Sequence, residues 1–181
     1  MVKNVIISMG LIFLLASGMK SQSSMYIGPQ LGYQQSSDAD NGKYMGGLAL
    51  RMKLNRAIGI EGSINYRSEA YNNGAVTVRS WPVMVTGLFY PVQIAYGAIG
   101  AGWYNTSFSY DPTVFPGSSD ETKQEFGWHF GGGLEIPLGT SSMFTADIRY
   151  VFLNYNFKSV PGSSAANSDF YMLTFGYLFQ L

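Results

Sequence analysis

The chain has no cysteine, which excludes disulfides, thiolate metal ligands, a cysteine nucleophile and attachment through a lipidated cysteine. It has no net charge: 11 basic side chains balance 11 acidic ones. No Lys/Arg run is present to neutralise a phosphate backbone, so nucleic acid is not an expected partner. Charge is scarce altogether. Asp, Glu, Lys and Arg make up 12% of 181 residues, about half of the ~25% usual for a soluble domain. Histidine occurs once, at His129, and beyond residue 18 no stretch offers about 18 consecutive apolar residues for a spanning helix. What is plentiful instead is glycine, with 22 residues, and aromatic side chains, with 12 Phe, 13 Tyr and 3 Trp. Water cannot be the only solvent for such a composition.

The N-terminus reads as a secretory signal peptide. Lys3 supplies the basic start, residues 5–16 the apolar core, and Ala16, Ser17 and Gly18 the small residues that signal peptidase reads. Residues 1–21 are assigned to it, with the cut anywhere within 18–24. An N-terminal anchor is the alternative, disfavoured by the short apolar core and by the polar Lys20, Ser21, Gln22, Ser23 and Ser24 that follow.

The remaining chain alternates with a period of two. Ile58, Ile60, Gly62, Ile64 and Tyr66 oppose Gly59, Glu61, Ser63, Asn65 and Arg67; Phe144, Ala146, Ile148, Tyr150 and Phe152 oppose Thr145, Asp147, Arg149 and Val151. Carried along the chain, the pattern predicts strands near 25–34, 44–54, 57–67, 75–89, 93–109, 124–137, 143–157 and 169–181. Connections alternate long and short, which puts long loops on one rim and tight turns, with both termini, on the other. That layout predicts an all-β fold, an eight-stranded antiparallel up-and-down transmembrane β-barrel over 25–181. Gly97, Gly100 and Gly102 leave the facing of the fifth strand open, and Pro82 predicts a bulge or a missing ladder bond in the fourth.

The facing of the strands separates a membrane barrel from a soluble one. With the apolar parity inward, the outer wall would be made of Gly59, Ser63, Gly127, Gly131, Gly133 and Gly176, a poor surface toward water. With it outward, lipid meets the apolar set and a narrow lumen takes the small and charged side chains. A closed barrel also leaves no unpaired edge in hydrocarbon. The lumen is then expected to hold Arg51, Glu61, His129, Glu135, Asp147 and Arg149, with Arg51 about opposite Glu61, and Glu135 near or diagonal to Arg149. Tyr44, Tyr66, Trp81, Trp103, Trp128 and Tyr155 fall toward the long-loop ends of their strands, as interface aromatics do.

The last strand alternates Tyr171, Leu173, Phe175, Tyr177, Phe179 and Leu181 with Met172, Thr174, Gly176, Leu178 and Gln180. Thr174, Gly176, Phe179 and Leu181 resemble the C-terminal recognition signal of outer-membrane barrels, although the family's last residue is usually aromatic. Together with Ala95, Tyr96, Gly97, Ala98, Ile99, Gly100, Ala101, Gly102 and Trp103, and with the run from Gly131 through Leu138 to Asp147, Ile148, Arg149 and Tyr150, this terminal strand makes 25–181 resemble the outer-membrane protein β-barrel superfamily. The likeness is to the stand-alone, outer-membrane protein A-like barrels. It implies residence in the bacterial outer membrane, contact with its lipid, insertion by the barrel-assembly machinery through the last strand, and a monomer. No peptidoglycan-binding domain is expected after the final strand.

An eight-stranded lumen is just wide enough for side chains to fill it, so the expected role is non-enzymatic: envelope integrity, or surface interaction with an extracellular ligand through the loops. A narrow small-solute or ion channel gated by the lumen charges is the alternative. A lipid A-modifying acyl enzyme is more remote. His129 is followed by Phe130 and Gly131, so the His-x-Ser arrangement of the deacylases is missing. No cofactor and no metal is expected; Asp38, Asp40 and Asn41 lack the glycine and distal glutamate of a calcium loop.

Overall fold

The computed structural model describes residues 24–36, 42–71, 76–110, 121–153 and 169–181. They form β1 (Ser24–Ser36), β2 (Lys43–Lys53), β3 (Ile58–Tyr71), β4 (Val76–Val92), β5 (Ala95–Tyr110), β6 (Glu121–Pro137), β7 (Ser142–Leu153) and β8 (Phe170–Gln180). Each pairs antiparallel with its neighbours in sequence, and β8 pairs with β1 to close the barrel. No helix among the described residues is long and apolar enough to cross a membrane, and crossing falls to the strands.

The alternation sets the faces. In β8 every second residue from Phe170 to Leu178 is buried while Tyr171, Leu173, Phe175, Tyr177 and Phe179 are exposed. β5 takes the facing that its glycines left open: Tyr96, Ala98 and Tyr104 point inward, Ile99 and Trp103 outward. Tight turns close one rim. Asn55 Oδ1 accepts the amides of Ala57 at 2.8 Å and Ile58 at 2.9 Å, an Asx-type turn. Gly139 takes φ 79°, which an L side chain resists.

Strand ends shift by a few residues from the sequence expectation, and one of the two outcomes expected at Pro82, a missing ladder bond, is met. β3 runs on to Tyr71 because Ser68, Glu69, Ala70 and Tyr71 stay in register with Arg79, Val78, Thr77 and Val76. Pro82 causes no register shift, but the β3–β4 ladder is interrupted between Ile64↔Val83 and Arg67↔Ser80, where a proline cannot donate. The irregularity of β4 lies instead between Phe89 and Val92, around Pro91. The signal peptide, Tyr155 and the connections holding Asp38, Asp40, Asn41 and 111–117 lie outside the described residues.

Candidate functional site: the lumen

The inward parity brings charged side chains from four strands into the lumen. Arg51 on β2 is directly across the ladder from Glu61 on β3, and its Nε donates to Glu61 Oε2 at 2.9 Å. The rest of its fork crosses the lumen, Nη1 to Glu135 Oε2 at 3.1 Å and Nη2 to the Tyr96 hydroxyl at 3.0 Å. Arg149 on β7 does the same from the other side: Nε to Asp147 Oδ1 at 2.8 Å, Nη2 to Glu61 Oε1 at 2.6 Å and Nη1 to Thr86 Oγ1 at 3.0 Å. Glu61 therefore bridges the two guanidinium groups. A planar fork that serves two or three acceptors at fixed angles is what distinguishes arginine from lysine at such a place.

Glu135 departs from expectation. It lies across from Thr145 on β7, and Arg149 is opposite Gly131, so the two do not pair. Its carboxylate is held by Arg51, by the Tyr90 hydroxyl at 2.8 Å and by Lys53 at the turn-side mouth. The shear of the barrel explains the difference: partners in a narrow lumen are set by what faces across it, which hairpin register alone does not give. Asp147 also accepts from the Tyr96 hydroxyl at 3.0 Å. Arg51 lies 4.6 Å over the Tyr96 ring and Lys53 4.7 Å over that of Tyr90. Three bases (Arg51, Lys53, Arg149) thus meet three carboxylates (Glu61, Glu135, Asp147), a balance that burial demands.

His129 is fully buried, with Nε2 2.9 Å from Thr86 Oγ1. That oxygen already accepts from Arg149 and still has a lone pair and a proton to offer, so it serves either tautomer of the ring. Nδ1 has no hydrogen-bond partner. The histidine so faces a threonine with no acid behind it, and it sits inside the barrel rather than against acyl chains. Among the described residues no group of three His, Asp or Glu side chains is placed to hold a metal ion.

Toward the long-loop side the chemistry changes. Met45, Met84, Tyr104, Val151, Leu153, Phe170 and Met172 form one buried apolar cluster from β2, β4, β5, β7 and β8. Beyond it come polar side chains again, Ser80 and Thr106, the Thr106 hydroxyl donating to Ser80 Oγ at 3.4 Å; Asn105, which accepts from Gln124 at 2.7 Å, is on the outward parity with Trp103. Met45 shares the parity of Arg51 and Met172 that of Thr174, so two of the three methionines are inward by alternation, yet the sequence expectation for the lumen is only of small and charged residues. Lys53, Thr86, Tyr90 and Tyr96 were also missed as network members. Lys53 is two residues from Arg51 on the same parity, and that spacing was the available signal.

The expected interface aromatics that are described stand at outward positions. Tyr44, Tyr66, Trp103 and Trp128 are exposed and Trp81 is half-buried. Trp128 stacks on Phe152 at 4.1 Å and 12°. In β8, Thr174 and Gly176 face the lumen while Phe179 and Leu181 face outward, and Leu181 N donates to Met25 O at 2.9 Å.

A family model described as the outer membrane protein beta-barrel domain matches residues 6–179. Among solved structures, Ail of Yersinia pestis, in complex with the heparin analogue sucrose octasulfate, is 18% identical, with a TM-score of 0.55 over 90% of this chain and 100% of that one. Neisserial surface protein A is 13% identical, with a TM-score of 0.62 over 89% and 98%. A major outer membrane protein from Thermus thermophilus is 11% identical, with a TM-score of 0.65 over 89% and 100%. At these identities the likeness is one of fold. No curated protein matches the chain at a significant level.

Proposed function

The chain belongs to the outer membrane protein beta-barrel family and resides in the bacterial outer membrane; from that premise we propose that it is a non-enzymatic, non-conducting barrel that acts through its loop side, in envelope integrity or surface interaction. One observation supports this above others. The lumen is occupied along its length, by a charge-balanced ion-pair network on the turn side and an apolar cluster on the loop side. An eight-stranded wall has little interior left for a solute path once such side chains fill it. His129 hydrogen-bonds Thr86 and neither a carboxylate nor a serine, which argues against acyl chemistry.

The charges outside the network bear on the partner. In or beside the four connections of the loop rim stand eight carboxylates (Asp38, Asp40, Glu69, Asp111, Asp120, Glu121, Glu125, Asp169) and five bases (Lys43, Arg67, Arg79, Lys123, Lys158). That excess of three negative charges favours a neutral or cationic surface over a polyanion. The sulfated ligand of Ail is therefore not carried over. Insertion is proposed to use the barrel-assembly machinery through Thr174, Gly176, Phe179 and Leu181, and the barrel to work as a monomer.

Planar-bilayer recording of the refolded protein tests the reading. A silent membrane is expected. Discrete current steps that disappear with Arg51→Met or Glu61→Gln would establish the channel instead.

A further inference from the structure

We propose that the outer wall carries a lateral phosphate site for a lipid of the loop-side leaflet, formed by Arg79 with the hydroxyls of Ser68, Ser107 and Thr122, and that lipid A is the lipid it holds. By alternation, Arg79 is the one charged residue at an outward position of the eight strands. It is exposed, and it makes no ion pair among the described residues. A cation on a lipid-facing wall is costly in hydrocarbon and tolerated toward the headgroups. Its neighbours are chosen to match. Ser68 on β3 and Ser107 on β5 stand directly across the ladder from Arg79, and Thr122 on β6 stands across from Ser107. Four strands therefore present one row of a guanidinium and three hydroxyls, with no carboxylate in it. Ser68 and Thr122 are exposed and Ser107 is half-buried. The Thr122 hydroxyl donates to Ser107 Oγ at 3.4 Å, which leaves the Ser107 proton for a ligand.

The row beneath is closed on itself. Asn105 is only 5% exposed although its position is outward; it donates to Trp81 O at 3.2 Å and accepts from Gln124 at 2.7 Å. Below it Trp103 meets Phe126 edge-on, with ring centroids 5.7 Å apart. Trp81 and Trp103 mark the edge of the hydrocarbon, as interface aromatics do. Arg79 stands two residues beyond Trp81, a rise of about 5 Å once the tilt of a barrel strand is allowed for. The polar layer of a leaflet is about 5–8 Å deep, so this rise puts Arg79 at the height of lipid phosphates. Toward the loop ends of β1, β2, β7 and β8 the outward positions carry Tyr33, Tyr44, Tyr150 and Tyr171 and no cation. In the family's arrangement the loops are extracellular, so the leaflet is the outer one. Its lipid A is a phosphorylated, acylated glucosamine disaccharide, and a planar guanidinium fork binds phosphate in two-point fashion. The acidic excess of the loop rim bears on what approaches from outside the cell, whereas Arg79 faces sideways into the leaflet. The site stands whether or not the lumen conducts.

Native mass spectrometry of the refolded barrel in detergent, titrated with purified lipid A, tests the site. Wild type is expected to retain one lipid A, and Arg79→Gln to weaken its binding about tenfold, as loss of a two-point charged contact does. Ser107→Ala with Thr122→Val should weaken it about threefold, the smaller effect of neutral hydrogen bonds. Arg56→Gln removes an exposed arginine at the turn rim instead and should leave binding unchanged. Dephosphorylated lipid A should bind wild type no better than lipid A binds Arg79→Gln. Equal retention of lipid A by wild type and Arg79→Gln overturns the site, and so does an equal loss in Arg56→Gln, which would mean unspecific charge attraction. Full-strength binding of the double hydroxyl variant overturns the part given to Ser107 and Thr122. Dephosphorylated lipid A held at wild-type strength overturns the phosphate, and phosphatidylglycerol held as tightly as lipid A overturns the choice of lipid. None of these readouts depends on the bilayer currents that test the proposed function.

Discussion

Residues one position apart on the same strand live in opposite worlds here. Ile60 is exposed and Glu61 buried; Ile148 is exposed and Arg149 buried; Phe130 is exposed and His129 buried. A soluble protein of this composition would be inside out. On the lipid face a side chain needs only to be apolar, so Leu, Ile, Phe and Tyr alternate there with glycine at little consequence. On the lumen face the charged groups must meet specific partners, because an uncompensated charge away from water is costly. The same pleat thus builds one surface held by composition and another held by geometry.

The largest effect should come from breaking the geometric face. Arg149→Met removes a guanidinium that serves Glu61, Asp147 and Thr86 at once, leaving Asp147 with only the Tyr96 hydroxyl and Glu61 with Arg51 alone. Loss of one partner from a buried network costs about 3–5 kcal/mol. Urea titration of the barrel refolded in vesicles should show that loss, and adding Glu61→Gln should recover part of it by restoring neutrality. A double variant no more stable than the single one would show that the charges are not coupled through Glu61. The composition face breaks for a different reason. Ile148→Arg puts a charge toward lipid in the middle of β7, opposite Gly132 and Leu173, where a cation costs about 2–4 kcal/mol near the bilayer midplane. In detergent micelles, where headgroup and water lie closer, the penalty of Ile148→Arg should shrink while that of Arg149→Met persists.

The two faces also differ in how far the sequence discloses them. All eight strands follow from alternation, and so does their facing outside β5, because membership of the lipid face is a matter of residue type; in β5 the glycines at 97, 100 and 102 carry no such mark and leave the facing open. The pair Arg51 and Glu61 could be read too, since the short turn at Asn55 fixes their register. The partner of Glu135 could not. Its ligands come from β2 and β4, and a relation between strands four and two positions apart in the barrel depends on shear and tilt, which no local pattern encodes. The apolar cluster escaped for the same reason: Met45, Met84 and Met172 are isolated in sequence and become a layer only when the barrel closes.

Gly100 and Gly62 set the faces against each other with the same substitution. A methyl on Gly100 points into the lumen, colliding with Val85 O and lying 2.6 Å from His129 Nε2 and 2.8 Å from the Thr86 Cα. Two of those three atoms are backbone and cannot yield, so Gly100→Ala should destabilise by about 1–3 kcal/mol, as overpacking does, and should disturb the His129 and Thr86 contact in an NMR spectrum of the histidine. A methyl on Gly62 meets nothing within 4 Å. It points outward into a shallow groove lined by Met25, Leu50, Met52, Ile60 and Val85. There the substitution only narrows the unfolded ensemble, and Gly62→Ala should stabilise by about 0.4–1 kcal/mol. The signs are therefore opposite for one methyl on either side of the same wall. Equal unfolding midpoints for the two variants would mean that the lumen is softer than its packing implies, and that the line between a face held by composition and one held by geometry is drawn in the wrong place.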